Sequence, residues 1–462
     1  MAQLNDWPWR YWAAQRPQMT AVIVGHQPIG WLELQRQVDL LAADFQHQGV
    51  LPGSGVVLCG KNSYPLLLAY LALLQGGARV LPLNPALPAS MLAALLPDLD
   101  ITFAFSPDGL PELQPEIIRL SPSAGTEYPL QELAWNAQRL ATLTLTSGSS
   151  GLPKAAAHSY AGHLTSAEGV LHLMDFQPQD RWLLSLPLFH VSGQGIIWRW
   201  LVAGAQLVVR DMQPLADALA GCTHASLIPT QLWRLLSEPM TEHALKEVLL
   251  GGAMIPVSLT QQAEAMGIRC WCGYGLTELA STVCAKRADE RPGVGLPLHG
   301  REIRLVDQEV WIRSPSLALG YWHQGALLPI ADEQGWFHTR DRGAMEQREL
   351  RIIGRLDNLF FSGGEGVQPE DVERVLAAHP QILQVFIVPV DDPEFGQRPV
   401  AVIDYEGELT LDALLAWADD KLANFQRPIA LFALRDELKT GGIKISRRRL
   451  RQWVVEQLKG AR

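Results

Sequence analysis

The chain has 462 residues, of which 48% are hydrophobic and 19% are charged, a balance that excludes a largely disordered protein. Lys and Arg total 38 against 48 Asp and Glu, a net charge of −10, which disfavours a protein that binds nucleic acid through many phosphate contacts. Five cysteines indicate no disulfide framework. We also expect no signal peptide and no membrane span, since the sequence shows neither a basic segment followed by an apolar stretch at its start nor an apolar run of sufficient length, and we therefore expect a cytoplasmic enzyme.

Between about residue 20 and residue 285, short apolar runs typical of strands alternate with helical patterns. This alternation predicts parallel sheets covered by helices, whose ligands bind beyond the carboxyl ends of the strands. The predicted strands are Val56–Cys59, Ala78–Leu83, Leu143–Leu145, Trp182–Leu186, Leu207–Val209, Ala225–Ile228 and Val248–Leu250. The predicted helices include Pro65–Leu74 and Gln231–Leu236. Functional residues are therefore expected in the loops that follow strands.

Beyond residue 295 the pattern changes to shorter β segments and then to a compact α+β unit. A helix is predicted to begin at Pro369, because acidic residues in its first turn suit the helix dipole. The other predicted strands are Glu302–Val306, Glu309–Arg313, Glu349–Ile353, Val385–Val388 and Pro399–Ile403. The other predicted helices are Leu411–Leu422 and one from about Ser446. We predict an N-terminal domain of residues 1–355 and a C-terminal domain of residues 356–462.

The segment after the strand Leu143–Leu145 is rich in glycine and hydroxyl side chains and ends in a lysine. Its candidate ligand-binding residues are Thr146, Ser147, Gly148, Ser149, Ser150, Gly151 and Lys154. Backbone N–H groups, hydroxyls and an ammonium together suit a polyphosphate. The spacing differs from that of a Walker A motif, which disfavours an ATPase or kinase of that class. A flexible Ser/Gly linker is the alternative.

This loop resembles the phosphate loop of the adenylate-forming (acyl-CoA synthetase, luciferase-like) superfamily, and six companion segments follow in the family's order. They are Leu186–His190, Gly251–Ala253, Tyr274–Glu278, Thr339–Asp341, Gly354–Asp357 and Gly442–Arg447. The resemblance implies an α/β fold with a large N-terminal domain of layered sheets and helices. It also implies a small, mobile α+β C-terminal lid, with the hinge near Asp357.

The reaction that the resemblance implies has two steps. A carboxylate attacks the α-phosphate of ATP and releases pyrophosphate, and the thiol of coenzyme A then captures the acyl-adenylate. By resemblance, Lys444 bridges the carboxylate and the α-phosphate, Thr277 contacts the α-phosphate, and Glu278 is the Mg²⁺ ligand. ATP and coenzyme A are the implied co-substrates, and Mg²⁺ is the implied cofactor.

The nucleotide would be held by the phosphate loop and by residues from four other segments. By resemblance, Gly252 and Ala253 place their backbone against the base, Tyr274 flanks the adenine, Asp341 binds the ribose, and Arg355 binds the ribose or a phosphate. Asp341 can accept hydrogen bonds from both ribose hydroxyls. The family usually has glycine at the positions of Arg340 and Ile443 and often asparagine at Gly366, so these positions depart from its pattern.

The residues that would bind the acid substrate follow the strand at Trp182. His190 and Ser192, with Thr277, are implied to line the acyl pocket. Within the superfamily the similarity is to the branch that activates o-succinylbenzoate for menaquinone biosynthesis. The unreacted carboxylate of this acid needs a cation or hydrogen-bond donors where it is buried, and Arg199 and Arg234 are the candidates.

Two alternatives remain open at this stage. One is another aryl- or acyl-CoA ligase, including one that transfers its adenylate to a carrier protein. The other is a non-catalytic nucleotide-binding protein of the same fold. The sequence is compatible with a homo-oligomer. Cys270 and Cys272, separated by one residue and lacking a second pair, are predicted to be structural thiols rather than metal ligands.

Overall fold

The computed structural model describes residues 4–123, 125, 127–146, 152–237, 243–253, 255–291, 293–439 and 445–460. The chain packs as two compact units. The larger unit contains Met1–Ile303 and Ile312–Phe337, and the smaller contains Arg304–Trp311 and His338–Arg462. No helix in these described ranges is both long and apolar enough to cross a bilayer.

Helices and strands alternate along most of the chain. The α-helices are α1 Pro8–Gln15, α2 Trp31–His47, α3 Tyr64–Gln75, α4 Ala89–Leu95, α5 Tyr160–Leu171, α6 Val191–Ala203, α7 Leu215–Ala218, α8 Pro229–Ser237, α9 Val257–Ala265, α10 Pro369–Leu376, α11 Leu411–Trp417, α12 Asp436–Lys439 and α13 Arg447–Gly460. Short 3₁₀ turns cover Leu96–Leu99, Thr277–Leu279, Leu356–Asn358 and Asn424–Gln426.

The strands form four sheets. In chain order they are β1 Thr20–Val24, β2 Gln27–Gly30, β3 Gly55–Cys59, β4 Arg79–Leu83, β5 Ile101–Phe105, β6 Ile118–Arg119, β7 Leu140–Leu145, β8 Ala155–Ser159, β9 Arg181–Leu183, β10 Gln206–Val209, β11 His224–Leu227, β12 Glu247–Leu250, β13 Arg269–Leu276, β14 Ser281–Arg287, β15 Leu296–Pro297, β16 Glu302–Val306, β17 Glu309–Arg313, β18 Gly320–His323, β19 Ala326–Leu328, β20 Phe337–Glu346, β21 Glu349–Arg355, β22 Phe360–Ser362, β23 Glu365–Val367, β24 Ile382–Asp392, β25 Gly396–Tyr405 and β26 Leu431–Ala433.

Two mixed sheets with parallel centres form the larger unit. The nine-stranded sheet has the order β15-β14-β13-β12-β11-β9-β10-β1-β2, and the strands from β13 to β1 pair in parallel. The eight-stranded sheet has the order β19-β18-β8-β7-β4-β3-β5-β6, and the strands from β7 to β6 pair in parallel. The predicted parallel α/β architecture is therefore confirmed, with antiparallel strands added at the edges.

Helices bury their apolar side chains against these sheets. In the nine-stranded sheet, Val208 and Val248 pack with Leu232 of α8 and Leu259 of α9. The most apolar segment of the chain is the helix α3, which is nearly all buried and begins at the N-cap Ser63. Burial on this scale, at ~25 cal/mol per Å² of apolar surface, is the main stabilising contribution to the unit.

Most residues of the other two sheets belong to the smaller unit. One has the order β16-β17-β20-β21, and the other has the order β23-β22-β25-β24 with β26 beside β25. Helices α10 and α13 contact β24 in two separate clusters: α10 packs Val372 and Leu376 with Ile387 of β24, and α13 packs Leu450 with Val388. The packing boundary follows Phe337 because the β20–β21 hairpin packs with the C-terminal residues. The predicted domain boundary between residues 355 and 356 is a different property, namely the point about which the C-terminal lid would move, with its hinge at Asp357. It stays a prediction.

Most predicted elements appear with small shifts at their ends, and two of them are shorter than predicted. The strand expected at Trp182–Leu186 ends at Leu183. The chain leaves the sheet there because the Asn62 side-chain amide donates to the carbonyls of Leu184 (3.0 Å) and Leu186 (2.7 Å). The helix predicted over Leu411–Leu422 ends at Trp417.

Candidate active site

The two ends of the phosphate loop are held together by backbone hydrogen bonds. Strands β7 and β8 pair antiparallel up to Leu145 and Ala155. The Thr146 N–H then donates to the Lys154 carbonyl at 2.8 Å, and the Lys154 N–H donates to Thr146 Oγ1 at 3.3 Å. Ser147, Gly148, Ser149, Ser150 and Gly151 lie outside the described residues. The flanks of the loop thus form a tight strand-to-strand connection, of which the sequence predicted only the first strand.

The segment Tyr274–Glu278 turns sharply at the end of β13. A side chain at Gly275 would collide with the Ser281 carbonyl, so this position requires glycine. Ala280 and Ser281 have φ values of 54° and 115°, a conformation that costs roughly 1–3 kcal/mol per residue and is typical of functional sites. The Ser166 hydroxyl stabilises the turn by donating to the Ala280 carbonyl at 2.6 Å.

The Glu278 carboxylate is oriented by a tyrosine from another strand. The Tyr321 hydroxyl donates to Glu278 Oε1 at 2.9 Å, and the Lys154 Nζ lies 4.9 Å from the centre of the Tyr321 ring. A carboxylate oxygen is a ligand that Mg²⁺ prefers, and one or two carboxylates with substrate phosphates and waters suffice to bind it. In the described part of the chain, no group of three or more His, Cys, Asp or Glu side chains forms a metal cage. Glu278 therefore fits a nucleotide-bound Mg²⁺ rather than a structural metal.

Gly252 and Ala253 follow β12 and lie beside the end of the neighbouring strand. Strands β12 and β13 pair in parallel, so the loop after β12 runs next to Gly273 and Tyr274. A Cβ at Gly251 would lie 3.4 Å from the Gly273 carbonyl oxygen, which shows how closely the two backbones approach. The structure thus brings together the segments that the sequence assigned to the adenine.

Two of the three predicted acyl-pocket residues lie at the start of helix α6, whereas Thr277 lies in the 3₁₀ turn after β13. His190 is the N-cap residue of α6, and Ser192 lies in its first turn. The Gln194 side-chain amide donates to Thr144 Oγ1 at 3.0 Å, which ties α6 to the strand that leads into the phosphate loop. The acyl and phosphate segments, distant in sequence, are therefore neighbours in the larger unit.

Arg199 lies two turns after Ser192 on the same face of α6 and is 1% exposed. Its Nη1 donates to Ser226 Oγ at 3.1 Å, and its guanidinium lies over the Trp182 ring, 4.8 Å from the centroid. Burial lowers the pKa of Arg199 to about 9. No carboxylate among the described residues forms an ion pair with it. Arg234, the other cation candidate, is exposed, so the structure favours Arg199 as the cation for a bound carboxylate.

In the smaller unit, Asp341 and Arg355 are direct partners across the β20–β21 hairpin. Arg355 Nη1 donates to Asp341 Oδ1 at 3.2 Å, and Asp341 is 4% exposed. Arg340 has a φ of 61°, in the left-handed region that favours glycine. A residue other than glycine is strained in this conformation. The Arg340 guanidinium forms an ion pair with Asp357 at 2.7 Å. This conformation explains why glycine is usual at the position of Arg340.

Lys444 lies outside the described residues, but the helix that follows it is firmly anchored. Arg447, the first residue of α13, donates to both oxygens of Glu373, at 2.5 and 2.6 Å. Glu373 also accepts from the Ile387 N–H at 2.6 Å. Burial is the largest influence on this carboxyl and raises the pKa of Glu373. The ion pair fixes the C-terminal flank of the lysine segment against the core of its own unit.

The described cysteines are free and buried. Burial raises the pKa of Cys272 to about 11 and that of Cys270 to about 12. Thiols that stay protonated in an apolar environment are poor metal ligands and nucleophiles. The structure supports the prediction that this pair is structural.

Sequence reasoning missed two residues that organise the site, Tyr321 and Asn62. The Asn62 side chain contacts three backbone groups of the segment before the acyl pocket, including the Leu188 N–H at 3.1 Å. Its position directly after a buried strand was the available signal. Tyr321 follows no comparable local pattern, because its role depends on the pairing of β18 with β8.

Comparison with known proteins gives matches over nearly the whole chain. The model of the AMP-binding enzyme family matches residues 9–322, and that of the AMP-binding enzyme C-terminal domain matches residues 371–444. A 2-succinylbenzoate–CoA ligase from Salmonella typhimurium is 57% identical, covering 98% of this chain and 99% of its own. The ligase of that name from Escherichia coli K12 is 58% identical with the same coverage.

Solved structures agree in fold. A variant of E. coli MenE with bound OSB-AMS has a TM-score of 0.93 and 55% identity, and the match covers 98% of this chain and 99% of that one. The o-succinylbenzoate CoA synthetase (MenE) from Bacillus subtilis, in complex with the acyl-adenylate intermediate OSB-AMP, has a TM-score of 0.86. At 23% identity, over 96% of this chain and 98% of that one, the second comparison supports the fold alone.

Proposed function

The chain belongs to the AMP-binding enzyme family, and from this premise we propose that it joins o-succinylbenzoate to coenzyme A at the expense of ATP, through an acyl-adenylate. The observation that carries the proposal is the full-length match to 2-succinylbenzoate–CoA ligases. The products are o-succinylbenzoyl-CoA, AMP and pyrophosphate, and the reaction belongs to menaquinone biosynthesis.

In the first step, an oxygen of the succinyl carboxylate forms a bond to the α-phosphorus as the bond from that phosphorus to pyrophosphate breaks. Both reactants are anions, so positioned cations and hydrogen-bond donors must offset their repulsion. Lys154 at the end of the phosphate loop and Lys444 supply the cations, and Thr277 contacts the α-phosphate. Mg²⁺ held by Glu278 would neutralise charge on the phosphates.

The ribose and the adenine of the nucleotide are bound by different residues. Asp341 accepts hydrogen bonds from the ribose hydroxyls, since an ionised carboxylate has two oxygens and about four acceptor positions. Tyr274 flanks the adenine, and the backbone of Gly252 and Ala253 lies against the base. These contacts hold the α-phosphorus in position for attack.

The acid is oriented by its second carboxylate. Arg199 offers a buried guanidinium with no carboxylate partner in the described chain, on the same face of α6 as Ser192. Gly195, one turn before Arg199, leaves room for the guanidinium, because a Cβ there would lie 2.8 Å from Arg199 Nη2. A carboxylate bound to this cation regains the charge compensation that burial removes. A simple fatty acid has no group for this position.

In the second step, the coenzyme A sulfur attacks the acyl carbon, and the bond from that carbon to the AMP oxygen breaks. The thiol proton is released to solvent. The loop from Ser362 to Gly366, in the smaller unit, is the segment that approaches the thiol in this step. The 3₁₀ turn Leu356–Asn358 contains the proposed hinge residue Asp357, where a few dihedral changes move the lid.

The test supplies the purified protein with ATP, Mg²⁺, coenzyme A and a panel of acids, and follows pyrophosphate release and thioester formation. We expect o-succinylbenzoate to give the highest kcat/KM in both assays. Thioester formation only with another aryl or acyl acid would overturn the substrate assignment, and transfer only to a carrier protein would overturn the role of coenzyme A. The absence of pyrophosphate release with every acid would overturn the ligase activity.

A further inference from the structure

Tyr321 contacts both of the described charged groups that the proposed function assigns to the triphosphate. Its hydroxyl donates to Glu278 Oε1 at 2.9 Å, and its ring lies beneath the Lys154 ammonium, 4.9 Å from the centroid. The family resemblance gave roles to Lys154 and Glu278 but none to Tyr321. A single side chain therefore joins the cation of the phosphate loop to the candidate metal ligand.

The backbone around Tyr321 is fixed to both neighbours. Strand β18 pairs with β8 directly after Lys154, so that Tyr321 lies opposite Ala156. The segment before β18 is tied to the turn that carries Glu278, because the Ala318 N–H donates to the Glu278 carbonyl at 2.8 Å. Ser316 Oγ also donates to the Leu279 carbonyl, at 3.0 Å. The contacts of Tyr321 are thus set by strand pairing and turn geometry.

Each contact has a distinct physical consequence. A hydroxyl that donates to one carboxylate oxygen restricts rotation of the carboxylate and leaves the other oxygen available to a cation. An aromatic ring attracts an ammonium over its face and so limits the positions of a flexible lysine. Both effects restrict these side chains before binding, so less side-chain conformational entropy is lost when a metal–nucleotide complex binds.

We propose that Tyr321 is a positioning residue for the adenylation step. Its hydroxyl holds the Glu278 carboxylate for Mg²⁺, and its ring holds the Lys154 ammonium for the phosphates. The inference rests on the proposed function for the roles of Glu278 and Lys154.

The first test uses Tyr321→Phe, which removes the hydroxyl and keeps the ring. Thermal melting of the full chain is measured with ATP alone and with ATP plus Mg²⁺, without any acid. In the wild type, we expect Mg²⁺ to add to the stabilisation by ATP. We expect the variant to need about 10-fold more Mg²⁺ for half of this added effect, while stabilisation by ATP alone is unchanged.

The matched control is Tyr64→Phe, which removes the hydrogen bond from the Tyr64 hydroxyl to Gln37 Oε1 (2.7 Å) elsewhere in the same unit. It should keep the wild-type dependence on Mg²⁺. The same pair of variants is then assayed for pyrophosphate exchange with o-succinylbenzoate. For Tyr321→Phe we expect the half-maximal Mg²⁺ concentration to rise and the KM for the acid to stay constant. An unchanged dependence on Mg²⁺ in both measurements would overturn the role of the hydroxyl.

The ring is tested with Tyr321→Leu, which removes the surface beneath Lys154. Here the stabilisation by ATP alone should fall below that of Tyr321→Phe. Equal stabilisation of the two variants by ATP alone would overturn the role of the ring. Should Tyr321→Leu fail to fold, Tyr321→Met replaces it, since methionine also lacks the aromatic ring, and the same fall in stabilisation by ATP alone is expected. Because melting needs no acid, a wrong acid assignment would leave these results standing.

Discussion

Arg199 Nη1 donates to Ser226 Oγ over 3.1 Å, and this hydroxyl is the only hydrogen-bond acceptor of the Arg199 side chain among the described residues. Buried charges are ordinarily paired, because an isolated charge loses its hydration without compensation. Arg199 is 1% exposed, and burial lowers its pKa to about 9, so a desolvation cost remains that Ser226 and the Trp182 ring offset only in part. A bound carboxylate would remove it.

Arg199→Met should therefore raise the KM for o-succinylbenzoate by about 100-fold, since a hydrogen bond to a charged group contributes about 1.5–3 kcal/mol. The measurement compares this acid with 4-oxo-4-phenylbutanoate, which lacks the ring carboxylate. The KM for the second acid should change little. Arg234→Met, at an exposed position, is the matched control. An equal loss with both acids would show that Arg199 does not bind the ring carboxylate.

Lys444→Ala should slow adenylation by about 100-fold or more, because the variant loses a cation that offsets charge in the transition state. Thioester formation from supplied o-succinylbenzoyl-adenylate should be much less affected. The two half-reactions are measured separately by rapid quench. Lys459→Ala, at an exposed position of α13, should leave both rates unchanged. Comparable losses in the two half-reactions would contradict the role given to Lys444.

Asp341→Asn should raise the KM for ATP by about 10-fold, because the amide has fewer acceptor sites for the ribose hydroxyls than the carboxylate. The decisive measurement is the ratio of kcat/KM for ATP and 2′-deoxy-ATP, which should move toward one in the variant. Asp391→Asn, whose exposed carboxylate pairs with Arg451 at 3.0 Å, serves as the control. A ratio equal to that of the wild type would place the ribose elsewhere.

The free energy of unfolding should fall as the pH decreases from about 6.5 to about 4. Burial lowers the pKa of His158 to about 4 and that of His163 well below its ordinary value. In this window the unfolded chain binds protons that the folded chain does not, and each such histidine contributes about 1.4 kcal/mol per pH unit.

Urea unfolding between pH 7 and pH 5 measures this effect, on the condition that unfolding is reversible. His158→Leu should reduce the slope of the free energy of unfolding against pH, although it also changes stability by a constant amount. His26→Leu, at an exposed position, is the comparison. A slope that is the same in all three proteins would contradict the burial of a neutral His158.

Local sequence was enough to predict most elements, while the family resemblance supplied the candidate segments of the site. The strand at Val248–Leu250, the helix beginning at Pro369 and the strand that leads into the phosphate loop all depend on patterns a few residues long. The strand at Trp182–Leu186 was predicted too long because Asn62, more than a hundred residues earlier, binds the carbonyls that would have extended it. Its end depends on a tertiary contact.

The sequence by itself therefore determined the fold class, and the family resemblance of its motifs assigned the candidate ligand-binding segments and their chemistry. Only the tertiary structure distinguished Arg199, which is buried, from Arg234, which is exposed, since burial and the lack of a carboxylate partner are properties of packing. It also placed Tyr321 between Lys154 and Glu278 and explained the glycine usual at Arg340 by a φ of 61°. Motifs record which groups are present within a short segment, whereas desolvation and pairing depend on which distant segments the sheets bring together.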